Sequence, residues 1–154
     1  MARLTRPARL YFGVAFCAVM ALSGCAAMPW SGPSAAERAA ACATRTFSVY
    51  FEPESAALSP DAQAIIRQGV APVAACEDAG GELVRATVRA YPDEAMLDGA
   101  EATRLVYART EAVVAALVSA GLSPTQVVGF DHRSAPTAVM SIMRRQAEVT
   151  LEMQ

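Results

Sequence analysis

The sequence contains no Lys and no Asn, and it has a single His and a single Trp. Arg therefore carries all the positive side-chain charge, and one His excludes a multi-His metal centre. No Gly-rich loop of the kind that cradles phosphate is present. Basic runs are also missing. With the first 24 residues set aside, ten Arg face fifteen acids, a balance of −5 against −2 for the whole chain. That balance argues against nucleic acid as a partner. No short repeat runs through the chain, and 54% of residues are apolar, so collagen, coiled coil and wholesale disorder are excluded. The length, 154 residues, suits one domain with little to spare.

What is there begins with an address. Arg3, Arg6 and Arg9 precede an uncharged stretch, Leu10 to Leu22. As a helix these thirteen residues rise about 20 Å, short of the ~30 Å hydrocarbon core, and no later apolar run reaches spanning length. A basic end followed by a short apolar run reads as a signal peptide. Leu22-Ser23-Gly24-Cys25 then resembles the lipobox of bacterial lipoproteins, in which the Cys thiol takes a diacylglyceryl group before cleavage. The resemblance implies that residues 1–24 are removed and that Cys25 anchors the chain in a lipid bilayer, several acyl chains on one residue being enough for stable attachment. Ala26, where an Asp would imply retention in the inner membrane, favours the outer membrane. Residues 25–44, with Pro29, Gly32, Pro33 and many Ala and Ser, read as a tether in which Glu37–Ala43 extends as a short helix.

Residues 45–154 read as one folded domain. Phe47, Val49 and Phe51 alternate with Ser48, Tyr50 and Glu52, which predicts a strand over 45–52. Ser59-Pro60-Asp61 is a helix start, and the helix over 62–76 contains Pro72, expected to kink it near Gly69. Gly80-Gly81 ends it. Leu83–Tyr91 is a second strand, Gly99–Ala120 a second long helix closed by Gly121, and Gln126–Phe130 a short third strand. Asp131–Arg145 is loop with a helical turn at 138–144, and Ala147–Met153 is a fourth strand. The expected class is α+β, a β-α-β-α-β-β sandwich of two helices on one mixed sheet.

Several local signatures point the same way. Val49-Tyr-Phe-Glu52 and Ser55-Ala-Ala-Leu-Ser-Pro60 form an opening strand and helix start. Ala90-Tyr91-Pro92-Asp93 stands after the second strand, Leu105-Val106-Tyr107-Ala108-Arg109-Thr110 lies on the second long helix, and Arg144-Arg145-Gln146-Ala147-Glu148-Val149 opens the last strand. This order and these motifs resemble the OmpA C-terminal domain family, whose peptidoglycan-associated lipoproteins also carry a lipobox. In that family the turn reads Gly-His-Thr-Asp and the helix Leu-Ser-x-x-Arg-Ala. The resemblance implies non-covalent binding of the peptide stem of peptidoglycan, with Asp93 and Arg109 gripping diaminopimelate. On a helical wheel Ala102, Val106, Val113, Ala116, Leu117 and Ala120 form an apolar stripe with Arg109 at its edge, while Arg104 points elsewhere into solvent. Asp93, Glu94 and Asp98 in the preceding turn are the natural neighbours of Arg109. An Asp and an Arg side by side suit a zwitterion, carboxylate on guanidinium and ammonium on carboxylate. From spacing alone a structural Asp–Arg brace is the stronger reading; the resemblance reverses that order.

With Cys17 in the signal peptide and Cys25 acylated, Cys42 and Cys76 remain. Two Cys in an exported domain suggest a disulfide, the alternative being two buried thiols. A helix following a strand runs back beside it, which returns Cys76 close to Cys42. Asp131, His132 and Ser134 hold the letters of a catalytic triad but lie too close along one loop to aim at one another. Neither an enzyme nor a cofactor is expected. The reading is an outer-membrane lipoprotein whose periplasmic domain binds peptidoglycan and ties membrane to wall, with other envelope proteins as further partners. The alternative is a module whose stem-peptide site has decayed and which serves protein interaction or envelope assembly.

Overall fold

A computed structural model of the chain describes residues 32–93, 99–130 and 145–154. The elements run α1 (Ala35–Ala41), β1 (Arg45–Tyr50), α2 (Pro60–Asp78), β2 (Leu83–Ala90), α3 (Ala100–Ser119), β3 (Val127–Phe130) and β4 (Gln146–Met153). The four strands form one mixed sheet in the order β1-β4-β2-β3; β4 is antiparallel to both neighbours and β2 is parallel to β3. The expected α+β class and strand order in the chain hold, each boundary lying within two residues of its expected place.

Helix ends follow their local chemistry. Ser59 Oγ accepts the Ala62 amide at 3.1 Å, and Pro60 takes the first helical position where no amide hydrogen is needed. The helix continues through Pro72 to Asp78. Gly80 and Gly121, at φ +80° and +110°, leave α2 and α3 in a backbone region that side chains disfavour. α1 lies inside the stretch read as tether. Ser34 and Glu37 form a reciprocal capping box there, and Arg38 Nε donates to the Ala79 carbonyl at 3.0 Å, placing a cation on the C-terminus of α2.

One sheet face carries the core. Val49 from β1, Ala86, Val88 and Ala90 from β2, and Ala147, Val149 and Leu151 from β4 are all fully buried. They meet Ile66 of α2 and Val106, Val113 and Leu117 of α3 in one continuous cluster. Phe47 lies over Gly69, where even a methyl group would come within 2.5 Å of the ring. The expected disulfide joins Cys42 to Cys76, with the Cα atoms 4.7 Å apart. Gly81 is the neighbour that permits it, since a side chain there would strike both sulfurs and the Gln154 carbonyl. Among the described residues no helix is long and apolar enough to cross a membrane.

Candidate functional site: a buried ion pair at the end of the sheet

The sheet places Asp93 and Arg109 together. β2 ends at Ala90, and Tyr91 keeps the chain in register through its amide bond to the Gln146 carbonyl at 3.0 Å. Asp93 therefore emerges beside the loop that leaves β1. Phe51 holds that loop down, its amide donating to the Arg145 carbonyl at 2.9 Å and its side chain buried. The loop then turns tightly, with Glu54 at φ +56°. This left-handed residue aims its amide at Asp93 Oδ2, 2.6 Å away. The second carboxylate oxygen, Oδ1, stands 2.7 Å from Arg109 Nη2. That contact is a buried ion pair, and among the described residues Oδ1 has no other polar partner.

Arg109 is fully buried, in the centre of the α3 stripe rather than at its edge. The geometric reason is simple. Residue 109 lies three after Val106 and four before Val113, the two spacings that keep a helical residue on one face. A guanidinium there must find partners for its hydrogens. Nε donates to the Ser55 carbonyl at 2.9 Å, Nη1 to the Tyr91 carbonyl at 2.9 Å and Nη2 to the Glu52 carbonyl at 3.3 Å. Its carbon also sits 5.0 Å from the centre of the Phe51 ring, within cation–π range. Burial pushes the Arg109 guanidinium below its ordinary value, Asp93 opposes that by hydrogen bonding and charge, and Arg145 adds a smaller repulsion. A guanidinium is a permanent cation in proteins, so the site is a fixed positive charge held by one carboxylate and three carbonyls.

Sequence reasoning found the two charged members and missed the rest. Carbonyl acceptors carry no side-chain signal by which a sequence could show them. Arg104 is exposed as expected, pairing loosely with Glu101 at 3.7 Å. Glu94, Asp98, Asp131, His132, Ser134 and the lipobox with Cys25 lie outside the described residues. Among the described residues no group of three or more His, Cys, Asp or Glu could hold a metal ion.

No family model and no curated protein matches the sequence. Solved structures do. The OmpA-like domain of FopA1 from Francisella tularensis matches with a TM-score of 0.55 at 18% identity, over 72% of this chain and 76% of that one. The periplasmic domain of Helicobacter pylori MotB matches at 0.52 and 19%, over 71% and 72%. The peptidoglycan-associated lipoprotein from Burkholderia pseudomallei matches at 0.50 and 23%, over 70% and 89%. The chain is thus similar to OmpA-like domains in the path of its backbone, and its described residues have the OmpA-like fold.

Proposed function

We propose that the protein binds peptidoglycan non-covalently, through the Asp93–Arg109 pair, and that an acylated Cys25 ties it to the outer membrane. The observation that carries this reading is the Asp93–Arg109 ion pair held at the end of the sheet in an OmpA-like fold. The zwitterionic head of diaminopimelate offers both complements. Its ammonium donates to Oδ1, while Oδ2 stays fixed by the Glu54 amide. Its carboxylate is drawn to the Arg109 guanidinium. Each charge-assisted contact is worth roughly 1.5–3 kcal/mol. Preorganisation supports the reading further, because Arg109 is held by main-chain carbonyls and needs no ordering when ligand arrives. The similarity to the solved peptidoglycan-associated lipoprotein supports the same partner. The role is binding rather than catalysis, and the domain faces the periplasm with other envelope proteins as further partners.

One observation favours a second reading. Arg109 already serves Glu52, Ser55 and Tyr91 as well as Asp93, which is how a purely structural brace would look. In that case the domain is a protein-interaction or assembly module. Co-sedimentation of the protein with purified sacculi separates the two, since only the first requires the protein in the pellet.

A further inference from the structure

The sheet has a second face, turned away from α2 and α3. Strand register lays its side chains out in rows. Tyr50 of β1 stands opposite Gln146 of β4, with Tyr91 beyond it. The next row runs Ser48, Glu148, Arg89, Phe130 across all four strands, and the one after it Thr46, Thr150, Thr87, Val128. Glu152 and Arg85 close the face with a 2.8 Å ion pair.

Three properties of this face identify what it suits. Its described rows are electrically balanced, two Arg against two Glu, and so offer no net attraction to a polyanion or to an anionic membrane. Its middle is hydroxyls, with Thr46 and Thr150 bonded to each other at 3.3 Å, and among the described residues its rows hold no Leu, Ile or Met to anchor a protein partner. Its two ends carry exposed aromatic rings, Tyr50 at 45% and Phe130 at 43%, the latter stacked on Arg89 at 5.9 Å. Three strand spacings, about 14 Å, separate those rings across the sheet. A flat, neutral polyol with C–H faces for the rings and hydroxyls for the middle matches this layout.

A second observation is independent of the aromatics. Gln146 is 8% exposed, and its Oε1 is buried without a hydrogen-bond partner. It lies in the first row next to the exposed Tyr50. An acetamido N–H or a hydroxyl supplies the donor that this oxygen lacks. Tyr91 in the same row is two residues from Asp93 along the chain.

We infer that this second sheet face is a glycan-binding surface, with the exposed Tyr50 and Phe130 stacking on the N-acetylated sugar strand whose stem peptide reaches Asp93–Arg109. The inference rests on the peptidoglycan reading above and assigns a separate part of the same polymer to a separate surface.

The test uses the purified protein with two probes, peptide-free glycan strands released from sacculi by an amidase and the free stem peptide. The native protein is expected to bind the peptide-free strands. Tyr50→Thr and Phe130→Thr, which keep strand-forming residues, should each weaken that binding about tenfold through lost aromatic burial. Tyr107→Thr, at an exposed aromatic on α3, should leave it unchanged, and excess free stem peptide should not displace the strands. The Gln146 side-chain amide resonances of the unmodified protein should shift on titration with the strands. Binding of stem peptide without binding of strands overturns the face and leaves the ion-pair site standing. Binding of strands without stem peptide does the reverse. Folded Tyr50→Thr and Phe130→Thr proteins that bind strands as well as the native one also overturn the face, as does failure to bind either probe.

Discussion

Phe47 rests its ring on the bare Cα of Gly69, so that β1 and α2 approach more closely than any side chain at position 69 would allow. The contact explains a glycine in mid-helix, where it otherwise costs about 1 kcal/mol against Ala. Gly69→Ala should therefore destabilise the protein by about 1–3 kcal/mol in spite of the better helix former, because the added methyl must push Phe47 aside. Phe47→Ala on the same background should recover part of that loss. Urea unfolding of the two single variants and the double variant measures the coupling; strictly additive losses would contradict it.

The buried cation gives a stronger prediction. Arg109→Ala removes the partner of a buried carboxylate and of three carbonyls, which should cost about 3–5 kcal/mol. Arg104→Ala, five residues earlier on the exposed side, should stay within about 0.5 kcal/mol of native. Denaturant midpoints compare them directly. Similar losses at the two positions would mean that Arg109 is not the centre of the α3 interface.

These two sites mark the limit of what a sequence makes legible. Alternation and capping located the strands and helices, because Phe47–Val49–Phe51 and Ser59-Pro60 carry their signals in adjacent residues. Asp93 and Arg109 were legible as types at a motif spacing. The centring of Arg109 was not, because an Arg on a wheel reads as polar until its partners are known. Those partners are main-chain carbonyls at Glu52, Ser55 and Tyr91, brought there by the left-handed turn at Glu54. The glycine contacts with Phe47 and the disulfide were equally silent, since they depend on how closely distant elements approach.

The Cys42–Cys76 bond closes a loop with a sequence separation of 34 residues, containing all of β1 and most of α2. The chain-entropy account gives it at most about 4 kcal/mol. Reduction should lower the urea midpoint accordingly, while Cys42→Ala with Cys76→Ala should make stability insensitive to reductant. A midpoint that does not move on reduction would show that the bond is absent or carries no weight.

Glu37 gives a pH dependence of defined sign. Hydrogen bonds from the Ser34 side chain and then its backbone hold the Glu37 carboxyl below its ordinary value of 4.5, against a small opposing effect of burial. A lowered folded-state value means that the contribution to α1 is complete above pH 4.5 and is lost as pH falls through the folded value. Amide chemical shifts of residues 35–41 should therefore move toward coil values on acidification, before those of α2 and α3. Glu37→Gln should flatten the titration. Simultaneous loss of all three helices would contradict a local origin.

The central claim is that Asp93 and Arg109 form a receptor for the zwitterionic end of a stem peptide. The most direct measurement is co-sedimentation of the protein with purified sacculi, with and without excess free stem peptide containing diaminopimelate. The account predicts a protein that pellets with sacculi and whose affinity for them falls about tenfold or more in the presence of free peptide, the loss expected from occupying one or two charge-assisted contacts. A protein that stays in the supernatant, or that pellets equally with and without the peptide, would contradict it.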